Sequence, residues 1–136
     1  MKSITHVPIC KTFLACRRIS KDSKSKETSV EGLRSHFHNL RFPAAVTTRL
    51  FVQLKSAHGE YKLEIQLQTD GGEVVWREPP HNVSLPEPLM VYEIPMSASL
   101  VFPGPGRYAI VLLANGEEIG RDPCIATLVD QAVGKG

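Results

Sequence analysis

Three kinds of side chain in this sequence are chemically capable: five histidines, three cysteines and a run of cations near the N-terminus. His36-x-His38 puts two imidazoles on one face of a strand, a spacing that some metal sites use, with a third ligand to come from His6, His58 or His81. The alternative is a pair of exposed strand-end histidines, and no metal is expected. Cys16 sits beside Arg17 and Arg18, the best setting in the chain for a low-pKa thiol. A serine triad needs a nucleophile on a strained turn with a base and an acid to orient it. There is no Gly-x-Ser-x-Gly, and Asp22, Asp70, Asp122 and Asp130 all fall in predicted loops or at strand ends. Adjacent Glu117 and Glu118 point to opposite faces of a strand. The Pro103-Gly104-Pro105-Gly106 corner lacks the amides of a phosphate cradle, because proline carries no N–H. These absences predict a non-enzyme with no catalytic residue and no cofactor.

The cations remain. Residues 1–41 carry a net charge of +6 and residues 42–136 a net −4, within a total of +2. The excess peaks at Arg17, Arg18, Lys21, Lys24 and Lys26, a loop able to bind phosphates or an anionic membrane surface. It lacks interleaved aromatics to stack bases, so nucleic acid is not the expected partner. The other reading is a solvated connection between strands.

Such residues need elements to hold them, and Glu60 to Gln68 identify the kind. Tyr61, Leu63, Ile65 and Leu67 alternate with Glu60, Lys62, Glu64, Gln66 and Gln68, the pattern of a strand with one wet face. The same reading predicts strands at about 7–18, 28–37, 46–55, 73–77, 89–102, 107–114, 117–121 and 124–129, with 78–88 an irregular crossover that has room for a brief strand at 82–85. His38 to Pro43 reads as a connection. Val46, Thr48, Leu50, Val52 and Leu54 share a face, as do Met90, Tyr92, Ile94, Met96, Ala98, Leu100 and Phe102. Pro95 has no ladder donor and predicts an edge or a bulge. Asp70-Gly71-Gly72 and Asn115-Gly116 are hairpin turns.

Eight or nine strands with frequent turns predict one all-β domain over residues 1–136, an antiparallel β-sandwich with its core in about 7–129 and a frayed tail at 130–136. Tyr108, following a sharp corner, favours the immunoglobulin-like variety, in which such a tyrosine returns its hydroxyl to upstream backbone. A chain with 42% hydrophobic and 22% charged residues is ordinary for a globular protein. No run approaches the roughly eighteen apolar residues of a membrane span. The segment from Lys2 to Cys16 is interrupted by His6, Pro8 and Lys11, unlike a lipoprotein signal, so a cytoplasmic location is expected. Three cysteines do not make a disulfide framework. Cys124 paired with Cys10 or with Cys16 stays open beside the expectation of buried free thiols.

The Cys10 to Arg18 opening, Phe42-Pro43 leading to Arg49-Leu50-Phe51-Val52, and Phe102 to Tyr108 followed by Asn115-Gly116-Glu117 occur in this order here. In these motifs, over about residues 8–129, the chain resembles a family of small uncharacterised bacterial proteins with a predicted immunoglobulin-like β-sandwich. The resemblance implies a sandwich and supplies no activity, substrate or site residue.

One anomaly points to a partner. On strand 107–114, Ala109, Val111 and Leu113 make the nominally wet face apolar, and Phe51 lies on the wet side of its own strand. Phe51, Val111 and Leu113 are therefore an expected interaction patch if their strands are neighbours. Cover by a loop or by the N-terminal segment is the alternative. The leading functional expectation is a non-catalytic module binding a protein partner or a second copy of itself through an outer sheet face. The alternative is anion binding, to nucleic acid or lipid, by Arg17, Arg18, Lys21, Lys24 and Lys26.

Overall fold

A computed structural model of the chain describes residues 7–129. His6, Asp130 and the tail expected at 130–136 lie outside the described residues. The described residues form ten strands: β1 (Ile9–Lys21), β2 (Thr28–Leu33), β3 (His36–Leu40), β4 (Ala44–Lys55), β5 (Gly59–Thr69), β6 (Val74–Arg77), β7 (His81–Leu85), β8 (Tyr92–Phe102), β9 (Gly106–Ala114) and β10 (Glu117–Leu128). There is no helix among the described residues. One sheet has four strands in the order β2-β1-β4-β8; the other runs β3-β10-β9-β5, with β6 and β7 both paired to the far side of β5.

Alternation places the core. Leu50, Val52 and Leu54 of β4 and Ala98, Leu100 and Phe102 of β8 meet Leu63, Ile65 and Leu67 of β5 and Ile110 and Leu112 of β9 in one buried cluster. Each large side chain so buried contributes about 1.5–3 kcal/mol, and a one-residue slip would turn every member of a strand outward. Register is therefore strongly specified. Asn115 and Gly116 have φ of 51° and 84°, as the type I′ turn between β9 and β10 requires. Tyr108 Oη donates to the Gly104 carbonyl at 2.7 Å, the return expected of that corner. Pro95 lies on β8, an edge strand.

Three expectations need correction. The single strand expected at 28–37 is two, and they belong to different sheets. Arg34 N–H still donates to Ala15 of β1 at 2.9 Å, whereas the Ser35 carbonyl already accepts from Ile125 of β10 at 3.0 Å. A chain that changes sheets in two residues cannot keep one alternation. His38 to Leu40, read as the start of a connection, belong instead to β3, which pairs with β10, and in parallel, so the fold is not purely antiparallel. Finally, Asp122-Pro123 does not break the last strand. Pairing with β3 begins at Ile125, so Pro123 is at a local edge where its missing N–H is tolerated.

Candidate anion-binding site

The site is made where β1 leaves β4. Their pairing ends at Cys16 opposite Arg49, and from Cys16 onward β1 pairs with β2. The β1–β2 hairpin then lies against the outward face of the four-stranded sheet. Thr28 Oγ1 donates to the Glu93 carboxylate on β8, which also accepts from Gln53 Nε2 at 3.1 Å. A groove between the two layers is lined by Ile19, Lys21 and Thr28 from the hairpin and by Phe51, Glu93 and Pro95 from the sheet. The bond from Thr28, joined by that from Gln53, holds the Glu93 carboxyl below its ordinary range.

At the root of this hairpin three arginines converge. Arg17 of β1, Arg34 at the sheet-to-sheet crossing and Arg49 of β4 line a recess of about 280 Å³ with Cys16, Thr47 and Thr48. Among the described residues, no carboxylate lines it. Cys16 and Thr48 are buried, and Thr48 Oγ1 donates to the Cys16 carbonyl at 3.1 Å, so the floor is closed. Arg34 is fixed from two sides. Its Nη1 donates to the Thr47 carbonyl at 3.2 Å, and its guanidinium carbon lies 4.8 Å from the centroid of the Phe37 ring. Burial, and then the charge of Arg17, lower the pKa of Arg34. Gly32 makes room for Arg17: at φ +71°, a Cβ there would stand 2.9 Å from the Arg17 Cγ.

The five cations expected to act together are dispersed. Arg18 pairs with Glu31 at 2.7 Å. Lys21 lies toward Glu93, whose carboxyl its charge helps to lower. Lys24 and Lys26 are exposed on a turn that Asp22 organises, its carboxylate accepting from Ser25 N–H at 2.7 Å. Only Arg17 enters the recess. Arg34 and Arg49, which complete it, were missed. The available signal was the pairing that sets Cys16 opposite Arg49, and this is invisible until the strand order is known.

The expected patch does not form. Phe51 is in the four-stranded sheet and Val111 and Leu113 are in the six-stranded one, so they do not share a surface. Phe51 is 6% exposed, beneath the β1–β2 hairpin. Val111 is fully buried between its cross-strand neighbours Gln66 and Arg121. The Arg121 guanidinium bonds Glu118 and reaches Gln68 at 3.0 Å, laying long polar side chains over the apolar row. Cover comes from the sheet itself.

The remaining candidates are placed as follows. The rings of His36 and His38 meet edge to face at 5.3 Å, with His36 Nε2 3.0 Å from Thr127 Oγ1. Among the described residues, no group of three or more His, Cys, Asp or Glu could hold a metal ion. All three cysteines are free thiols. Burial raises the pKa of Cys10 and of Cys16, the latter against the pull of Arg49 and Arg34. Burial and Asp122 push Cys124 up to about 12. Asp122, read as lying in a loop or at a strand end, is in β10 and accepts from Ala15 N–H at 2.9 Å, joining the two sheets. Among the described residues, no helix is long and apolar enough to cross a membrane.

No family model and no curated protein matches the chain. Among solved structures it is similar to the Pseudomonas fluorescens alkylpurine DNA glycosylase AlkC bound to DNA containing an abasic site analog. The two share 14% identity at a TM-score of 0.50, over 68% of this chain and 28% of that one. The chain thus spans about a quarter of the length of that protein, and the likeness is one of fold. It corrects the expectation of a non-enzyme: a similar fold occurs in a DNA glycosylase, so this architecture is no argument against catalysis.

Proposed function

We propose that the chain is an immunoglobulin-like β-sandwich module that binds nucleic acid through its phosphates, using the outward face of the four-stranded sheet. The sandwich reading is supported by one core shared between two sheets and by the hydroxyl of Tyr108 returning to Gly104. A single observation carries the functional reading: Arg17, Arg34 and Arg49 meet in one recess with no acidic side chain among its lining residues. Guanidinium groups favour phosphate because their planar fork donates two parallel hydrogen bonds to its oxygens. That the solved glycosylase of similar fold is bound to DNA adds support. Nucleic acid thereby replaces the earlier reading against it, which rested on the aromatic-poor 17–26 loop rather than on this recess. A protein-partner reading built on Phe51, Val111 and Leu113 lacks an exposed surface at Phe51 and Val111.

The test is a titration of labelled single-stranded DNA at several salt concentrations. Affinity should fall as salt rises, and Arg17→Gln should weaken binding and flatten that dependence. Lys24→Gln with Lys26→Gln should leave the contribution of the recess in place. Absence of binding at low salt, or binding indifferent to salt, refutes the reading.

A further inference from the structure

We infer that the arginine recess seats the terminal phosphate monoester of a nucleic-acid strand rather than a phosphodiester within it. The inference rests on the proposed nucleic-acid reading and names the part of the ligand that fits.

The shape of the recess comes first. It is an open recess of about 280 Å³ above the buried Cys16 and Thr48. A terminal phosphate is tethered on one side and can enter a recess end-on.

Charge and donors agree with this. A phosphodiester carries one negative charge, whereas a monoester carries about −1.5 to −2 at pH 7 and offers three strong acceptor oxygens. Neither the Arg17 nor the Arg49 guanidinium has a side-chain hydrogen bond or ion pair among the described residues. Arg34 uses one nitrogen on the Thr47 carbonyl and rests on Phe37, so its guanidinium is held in place and little freedom is lost on binding. Burial first, and then the charge of Arg17, disfavour the Arg34 cation. A dianion offsets that penalty more than a monoanion does.

The experiment compares one short DNA strand with and without a terminal phosphate, titrated into the whole chain at low salt. The phosphorylated strand should bind at least tenfold more tightly. Inorganic phosphate should compete that advantage away. The advantage should also shrink as pH falls through about 6, where the monoester gains its proton. Arg34→Lys, which loses the planar fork, should abolish the preference; Arg49→Gln, at an exposed position on β4, serves if Arg34→Lys does not fold. Equal affinity for both strands, each binding with salt dependence, overturns this inference and leaves the nucleic-acid reading standing. Failure to bind either strand overturns both.

Discussion

Asp122 is the carboxylate that ties one sheet to the other, and its removal has a calculable cost. Its Oδ2 accepts the Ala15 N–H at 2.9 Å, linking β10 to β1. Ala15 is 1% exposed, so once the carboxylate is gone water has little access to that donor. Asp122→Ala should therefore cost about 1–3 kcal/mol, the penalty for a buried donor without a partner. At this chain length that lowers the melting temperature by about 3–5 °C per kcal/mol. Asp122→Asn keeps an acceptor oxygen and should stay within about 1 kcal/mol of the parent. The two also differ in pH dependence. Burial raises the pKa of Asp122, with the Ala15 bond opposing it. The native state then holds a proton that the unfolded state releases, so this group's contribution is greatest below its unfolded value and falls as pH rises through the folded one. Urea denaturation of parent and Asp122→Asn at pH 7 and pH 4 isolates the effect, because the other carboxylates are common to both. The advantage of the parent over Asp122→Asn should be larger at pH 4. An Asp122→Ala protein of unchanged stability, or an Asp122→Asn protein that gains on the parent upon acidification, refutes this reasoning.

Other substitutions check separate links. Phe51→Ala should cost about 3–5 kcal/mol in denaturant unfolding, since the ring is covered by the β1–β2 hairpin; a surface residue would cost almost nothing. Tyr108→Phe removes the bond to Gly104 and should cost about 0.5–1.5 kcal/mol by the same assay. Cys10, the least buried of the three thiols, should be alkylated first in the native protein at pH 8. Cys124, its pKa pushed up to about 12, should react only on unfolding, as peptide mass spectrometry would show.

The strands were legible in the sequence where burial is one-sided. β5 alternates because its inner face meets the core and most of its outer face is polar, and Asn115-Gly116 announces its turn through required positive φ. Legibility failed where a residue's surroundings change within a few positions. Residues 28–40 serve two sheets in succession, which erases any period of two. Val111 looked exposed because alternation reports which way a side chain points and not what neighbouring side chains lay over it. Gln66 and Arg121, 45 and 10 residues away, flank it only after β5 and β10 have paired with β9. The site was half legible for the same reason. Clustering in sequence selected Arg17 and Arg18, yet one faces the recess and the other pairs with Glu31. Arg34 and Arg49 join Arg17 through long-range pairing of β1 with β4 and through the crossing at Ser35.

The recess itself is most directly tested by a nitrogen–proton correlation spectrum of the arginine Nε–H groups during titration with inorganic phosphate at pH 7. Saturable shifts at Arg17, Arg34 and Arg49, reduced by Arg49→Gln, are the predicted result. Shifts spread evenly over the other arginines, or none at these three, contradict the account.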